Sequence, residues 1–204
     1  QEGHIYGHDS IEYINSDFSC EGFSCSLGSQ GPISIENSDI EFSDGGDLWG
    51  YGEVSIENSP ISFENTNSSS SEIYSRDNLI FQGSPISLTN NNNNYSETSM
   101  SISAYGNISF SGTYRSTAVT CYFTSQDNLQ ISGGDFKSTS TLNFYGGESG
   151  TISNSTIEAK NIGSINSTGP MVVTDTTISS ELSGGFVLSS TDTLSITNSH
   201  FVGN

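Results

Sequence analysis

Apolar residues stand two positions apart along most of the chain, and the pattern around them repeats about every 23 residues. The segment ISIENSDIEF at 33–42 returns as VSIENSPISF at 54–63. The apolar residue that follows Asn-Ser in this motif has nine equivalents: Phe18, Ile40, Ile61, Ile86, Ile108, Phe136, Ile157, Ile178 and Phe201. In most repeats, further apolar positions align thirteen, seven and five residues before these nine. Such a fixed period indicates a repeat architecture.

Each repeat therefore contains three short strands whose alternate side chains turn inward. Three strands in 21–28 residues predict an all-β, right-handed parallel β-helix of about nine coils, forming a single domain over residues 1–204. One coil cannot bury its own apolar residues, so stacking on the next coil supplies the core. The repeat at Ile108 fits this alignment least well, because Ile102 and Ala104 are displaced by one residue there.

Asn or Gly mostly stands three residues before the nine apolar positions. Both residues tolerate the left-handed backbone of a tight bend, and stacked Asn amides can hydrogen-bond from coil to coil. We therefore predict a corner at this position, with an interrupted ladder of Asn side chains. Its members are Asn15, Asn37, Asn58, Asn154 and Asn198.

Differences in repeat length concentrate in three segments, 64–71, 89–97 and 111–118. We expect these segments to form enlarged loops on one corner, and loops of this kind often carry the binding function of a solenoid.

The repeat pattern runs from Ile5 to Phe201 with no capping segment. The β-helix is therefore expected to be uncapped at one or both ends, so that either the natural protein continues or the coils stack end to end into a fibre.

The charge balance excludes several partners. The chain has 4 Lys and Arg against 23 Asp and Glu, a net charge of -19, which repels nucleic acid and anionic lipid. No run of 18 apolar residues predicts a membrane span. The first residue is Gln, from which we expect a processed N-terminus.

Three cysteines occur in the chain. Cys20 and Cys25 flank one short corner and could form a disulfide, which would imply an oxidising compartment. Cys121 lies about four coils from either, roughly 19 Å at ~4.8 Å per coil, which is beyond the reach of a disulfide. We expect Cys121 to be a buried free thiol.

Two segments contain candidate metal ligands. GHIYGHD at 3–9 offers His4, His8 and Asp9, but solvated histidines in a frayed first coil are the interpretation we favour. SDGGDLWGYGE at 43–53 has the carboxylates Asp44, Asp47 and Glu53. It lacks the alternating acidic spacing of a calcium loop, so we interpret it as an acidic turn with Trp49 exposed or packed on its flank. We expect no metal, no cofactor and no catalytic residues.

Glycosylation signals of the form Asn-X-Ser/Thr occur about as often as random order would give in this composition. The sites considered for N-glycosylation are Asn67, Asn94, Asn107 and Asn166. A fifth signal, at Asn154, lies on the predicted ladder, where a glycan would not fit.

Across nearly its whole length the chain resembles pectate-lyase-like and polygalacturonase-like β-helices, which implies a carbohydrate enzyme. Lyases of that type need clustered carboxylates, usually holding calcium, and a basic side chain. The basic residues here fall on separate predicted coils without such a cluster: Arg76, Arg115, Lys137 and Lys160. The Asn-Thr-Asp, paired Asp and Gly-His-Gly elements of the hydrolases are absent. The residues therefore argue against an enzyme.

The segment FVGN at 201–204 is similar to the Phe-X-X-Asn element of chlamydial polymorphic outer-membrane proteins, although their Gly-Gly-Ala-Ile element is absent. The function we favour is an extracellular or cell-surface structural and adhesive protein, in one version the repeating unit of a filament formed by end-to-end stacking. Its partners would be copies of itself or cell-surface glycans. The alternative is a carbohydrate-binding or carbohydrate-cleaving module that uses exposed aromatic platforms: Trp49, Tyr51, Tyr95 and Tyr114.

Overall fold

The computed structural model of the chain is an all-β solenoid. It describes residues 3–22, 25–65, 70–91, 98–117, 119–182 and 186–203, which contain 25 strands and no helix. Every strand pairing is parallel, and each strand pairs with strands about one repeat away in the sequence. None of the described residues belongs to a helix that could cross a membrane. The fold is therefore a parallel β-helix, as predicted.

Three faces run along the solenoid, and each has nine strands separated by eight stacking steps. Face A contains β1 (Gly3–Gly7), β4 (Cys25–Ser29), β7 (Asp47–Gly50), β10 (Ser71–Ser75), β13 (Thr98–Ala104), β16 (Val119–Ser125), the later parts of β18 (Asp135–Gly146) and β20 (Thr156–Ser167), and β23 (Val187–Ser190). Face B contains β2 (Ile11–Ile14), β5 (Ile33–Glu36), β8 (Val54–Glu57), β11 (Leu79–Gln82), β14 (Ile108–Ser111), β17 (Asn128–Ser132), β19 (Ser149–Ser153), β21 (Met171–Thr174) and β24 (Leu194–Thr197).

Face C contains β3 (Phe18–Glu21), β6 (Ile40–Ser43), β9 (Ile61–Asn65), β12 (Ile86–Asn90), β15 (Thr113–Thr117), the earlier parts of β18 and β20, β22 (Thr177–Ser180) and β25 (His200–Gly203). Because β18 and β20 continue from face C into face A, these two faces form one sheet, and face B is a separate nine-stranded sheet. One strand from each face, in the order A, B, C, makes a coil.

The core is a set of axial files of apolar side chains. Ile40 and Ile61 are direct partners, and Ile157 lies farther along the same file on face C. All three are at most 1% exposed. Phe42 stacks on Phe63 one coil away, with ring centroids 4.9 Å apart. The predicted stacking of equivalent apolar residues is confirmed.

The fifth coil corrects the predicted alignment. Ile108 lies on face B, between Leu79 and Leu129, and the face C position is occupied by Tyr114, between Ile86 and Phe136. Residues 113–117 form a strand, where the sequence predicted part of an enlarged loop. Tyr114 is fully buried, because its ring packs against aromatic rings of the neighbouring coil. It is therefore not an exposed platform.

The other two predicted loops lie largely outside the described residues, which leave out 66–69 and 92–97.

The two residues of the Asn-Ser pair have different roles: the Asn forms the bend and the Ser bonds to the neighbouring coil. Each predicted corner Asn has a positive φ: Asn15 50°, Asn37 49°, Asn58 47°, Asn154 49° and Asn198 49°. Their side chains point to solvent and do not form the predicted amide ladder. The serine that follows makes the coil-to-coil bonds instead. The Ser59 hydroxyl accepts from the Ser38 backbone N–H at 3.1 Å and donates to a carbonyl oxygen of its own corner.

An amide ladder is present, but at the corner between faces A and B. The Asn78 Oδ1 accepts from Nδ2 of Asn107 at 2.9 Å, and the Asn107 Oδ1 accepts from Nδ2 of Asn128 at 2.7 Å. The Ser149 hydroxyl extends the ladder by donating to Asn128. Here the Asn side chains lie over one another because each immediately precedes one of the aligned face B residues Leu79, Ile108 and Leu129.

The cysteines lie in the first, second and sixth coils. Cys20 and Cys25 are joined by a disulfide that links the end of the first coil to the start of the second. Cys121 is a buried free thiol next to Tyr114, and burial raises its pKa to about 12. A thiol with this pKa is protonated at neutral pH and is a poor nucleophile.

Candidate functional site

A group of aromatic side chains, three of them exposed and two partly buried, lies on the outer side of face A and at its corner with face B, over the first five coils. We call this group the aromatic row: Tyr6, Trp49, Tyr51, Tyr74 and Tyr105. The ring centroids of Tyr6 and Trp49 are 5.6 Å apart, those of Trp49 and Tyr51 5.5 Å, and those of Tyr74 and Tyr105 6.1 Å. Three of these rings remain about half exposed. The row therefore offers several neighbouring π-faces to solvent.

The position of the Trp49 indole depends on a glycine. Gly28 is the direct partner of Trp49 on the preceding coil, and Tyr6 is the partner of Gly28 one coil earlier. A Cβ atom on Gly28 would overlap the indole of Trp49. The missing side chain thus lets the indole lie over the strand and reach Tyr6 across an intervening coil.

Arg76 connects the two parts of the row. Its guanidinium carbon lies 4.3 Å from the centroid of the Tyr51 ring, a cation–π contact. Hydrogen bonding with the Tyr74 side chain raises the pKa of Arg76. The guanidinium therefore stays charged among the rings.

Two carboxylates border the row. Asp47 and Glu72 are direct partners on adjacent strands of face A, next to Trp49 and Tyr74. Burial raises the pKa of both carboxyls, and the charge of Asp47 raises that of Glu72 further. The Ser103 hydroxyl lies 3.5 Å from Oε1 of Glu72. Partly desolvated acceptors such as these bind hydroxyl donors well.

The acidic and histidine segments do not form metal sites. Asp44 lies at the corner between faces C and A, and Glu53 accepts from Asn78 at the corner between A and B. His8 contacts Asp9 in the exposed first coil. Within the described ranges, no three metal-ligating side chains come together.

His4 takes part in no such group either, because its Nδ1 pairs with the Ser26 hydroxyl at 2.8 Å.

The predicted glycosylation sites fall in different settings. Asn67 and Asn94, like Tyr95, lie outside the described residues. Asn107 is exposed, but its Nδ2 donates within the amide ladder. Asn166 is half-buried and accepts from the Ser189 hydroxyl at 2.7 Å. Glycosylation at Asn107 would therefore compete with the ladder bond.

The basic residues of face C have carboxylate partners that the sequence did not reveal. Arg115 and Lys137 lie on separate coils, as predicted, but are direct neighbours across the sheet. Arg115 forms an ion pair with Asp135, and Lys137 lies 3.6 Å from Glu158. We call these four residues the ion-pair file. Lys160 lies nearby and lines a shallow groove together with Lys137 and Glu158.

Comparison of the chain with protein-family models, with curated proteins and with solved structures yields no match. The β-helix that the family resemblance implied is present.

Sequence reasoning identified Trp49 and Tyr51 but missed Tyr6, Tyr74, Tyr105 and Glu72. A signal for two of them was available. Tyr6, Trp49 and Tyr74 all stand twelve residues before the aligned face C residue of their repeat, which places them on one outward file. Gly28 interrupts this outward file on the second coil, so its aromatic residues do not recur in every repeat.

Proposed function

We propose that this chain is a non-enzymatic adhesive and structural protein of the cell exterior, which binds its partner through the aromatic row. The row carries the proposal, because exposed rings on an outward face add nothing to the core. Tyr6 and Tyr105 are each 52% exposed and Tyr51 is 46% exposed. Contiguous exposed aromatic surface of this kind marks an interaction site.

The remainder of the molecule suits a display scaffold. Stacked coils with continuous hydrogen bonding hold the row on one rigid sheet. The net charge of -19 favours solubility outside the cell, and the disulfide between Cys20 and Cys25 is consistent with an oxidising environment.

A filament is the structural version of this proposal. The inward-facing residues of the ninth coil, Leu194 and Ile196, are 41% and 47% exposed. We propose that a second copy of this chain covers them by stacking coil on coil. Sedimentation velocity over a hundredfold range of concentration tests this version. Concentration-dependent oligomers that Ile196→Glu abolishes would support it, and a monomer throughout would remove it.

The adhesive function is tested by binding of the fluorescently labelled chain to intact cells. A double variant, Trp49→Ala with Tyr74→Ala, should lose adhesion. A matched variant with Tyr122→Ala and Tyr145→Ala, which are exposed on the same face but outside the row, should keep it. Equal adhesion by the two double variants would contradict the proposal.

A carbohydrate-cleaving enzyme is the rival function, favoured by one observation: Asp47 and Glu72 are adjacent carboxylates beside the aromatic row and Arg76. Assays for new reducing ends and for unsaturated products on a panel of polysaccharides decide between the two functions. Cleavage that is lost in Glu72→Gln or Arg76→Ala would establish the enzyme and overturn the non-enzymatic proposal.

A further inference from the structure

We infer that the aromatic row binds a neutral glycan chain, with pyranose rings stacked on Trp49 and its neighbouring tyrosines; this inference rests on the adhesive function proposed above. The apolar C–H face of a pyranose fits a flat aromatic ring, while the sugar hydroxyls at the ring edge need polar partners. Both kinds of group are present on face A.

The stacking surface begins with the indole. The Trp49 indole lies over the backbone at Gly28 and remains partly exposed to solvent. Tyr6 and Tyr51 lie on either side of it, with centroids at 5.6 and 5.5 Å. Tyr74 and Tyr105 continue the surface over the next two coils.

The row runs along the solenoid axis in two adjacent files. Tyr6, Trp49 and Tyr74 share one outward file on the first, third and fourth coils. Tyr51 and Tyr105 directly follow the face A strands of the third and fifth coils. Coils are spaced about 4.8 Å apart. From the first coil to the fifth, the row spans roughly 19 Å at this spacing. An extended glycan of several sugar units, lying parallel to the axis, would therefore contact more than one ring.

The polar groups beside the rings favour a neutral ligand. Asp47 and Glu72 accept hydrogen bonds from hydroxyl groups, and Arg76 donates. An acidic polysaccharide would place its carboxylates or sulfates next to these two carboxylates, in the field of a chain with net charge -19. The same repulsion acts against single-stranded nucleic acid, whose bases could otherwise stack on the rings.

The test uses the whole chain and a panel of soluble polysaccharides: the neutral laminarin, xyloglucan and galactomannan, and the anionic polygalacturonate and heparin. Binding is measured by affinity electrophoresis and by titration of tryptophan fluorescence, which reports only on Trp49 because it is the single tryptophan. We expect at least one neutral polysaccharide to bind and to change the fluorescence. Binding by none of the neutral set, or tighter binding of an anionic one, would overturn the inference.

Variants locate the site. Trp49→Ala should weaken binding at least about tenfold. Gly28→Ala retains every aromatic residue but displaces the indole from the sheet, so it should weaken binding severalfold without a loss of fold. Tyr145→Ala, an exposed tyrosine in the same outward file beyond the row, should bind within about twofold of the parent. Circular dichroism and melting curves verify that all variants are folded. Unchanged binding by Trp49→Ala and Gly28→Ala would contradict the site.

One further arm separates this inference from the adhesive function. Cells are treated with periodate, which oxidises sugar diols, before the adhesion assay. Adhesion that depends on Trp49 but resists periodate would retain the adhesive function and overturn the glycan inference. Absence of adhesion to any cell would instead overturn the adhesive function, while polysaccharide binding could still be measured.

Discussion

Faces A and C belong to one sheet and share one core, yet their outer surfaces differ. The charges of the ion-pair file on face C are paired with one another, and aromatic rings on face A are left exposed. On face C, the charges of the ion-pair file are matched within the file, Arg115 with Asp135 and Lys137 with Glu158. On face A, the aromatic row leaves rings exposed and two partly desolvated carboxylates beside them. A charged surface can therefore be internally balanced, whereas an exposed row of rings is stabilised by contact with a partner.

The largest effect should come from the core that both faces share. Phe136 beneath face C and Leu48 beneath face A are fully buried. Phe136→Ala should lower the free energy of unfolding by about 3–5 kcal/mol and Leu48→Ala by about 2–5 kcal/mol. Urea unfolding followed by circular dichroism measures both. Val172→Ala, at an exposed position on face B, is the control and should cost much less. A loss below about 1 kcal/mol for Phe136→Ala would contradict the shared core.

The corners should show the next largest effect, and a similar one on both sides of face B. Ser59 and Ser75 are fully buried, and each hydroxyl bonds backbone groups at its corner. Ser59→Ala and Ser75→Ala should each cost about 1–3 kcal/mol, because backbone groups lose their partners. Ser62→Ala, facing outward on the strand after Ser59, serves as the matched control. If it destabilises as much as Ser59→Ala, the hydroxyls do not hold the corner.

A smaller effect on stability should come from the Glu72 carboxyl of face A, and this effect should depend on pH. Burial raises the pKa of Glu72, so the folded chain favours its protonated form. The stability from this group is present below its unfolded pKa, about 4.3, and is lost as the pH rises through the raised folded value. Glu72→Gln should therefore raise the melting temperature at pH 7, and the gain should shrink toward pH 4. Glu41→Gln, exposed on face C, is the comparison. A gain for Glu72→Gln that does not change with pH would contradict this reasoning.

The ion-pair file should contribute least. Its side chains are about half exposed, so the pair of Arg115 and Asp135 should stabilise the fold by about 0–1 kcal/mol. A double-mutant cycle with Arg115→Ala and Asp135→Ala measures the coupling, which should weaken further in about 1 M salt. A coupling above about 2 kcal/mol that salt does not reduce would show that face C resembles a buried network.

Much of the fold could be predicted because different residue types determine different features of the coil. Alternating apolar residues fix the inward files, and Asn or Gly marks the left-handed corner, as at Asn58 and Gly83. The alignment of the fifth coil was predicted wrongly, because Ile108 and Phe110 have the spacing of a face C pair although they belong to face B. The period alone could not reveal that Tyr114 is the inward residue.

The surfaces were harder to predict than the core. The corner Asn amides were expected to stack, but a left-handed residue such as Asn37 points its side chain to solvent, and Ser38 bonds to the next coil. The aromatic row also needs the register of face A before its members can be seen as neighbours. Tyr6 and Trp49 are 43 positions apart in the sequence and meet only because Gly28 leaves room between them.

If the aromatic row is the surface that contacts the partner, as we propose, then acrylamide quenching of Trp49 fluorescence should respond to the bound partner. The partly exposed indole should be quenched in the free chain and should become protected when a bound neutral polysaccharide covers it. Protection should saturate together with binding measured by affinity electrophoresis. Quenching that stays the same while the polysaccharide is demonstrably bound would place the partner elsewhere on the solenoid and contradict the claim.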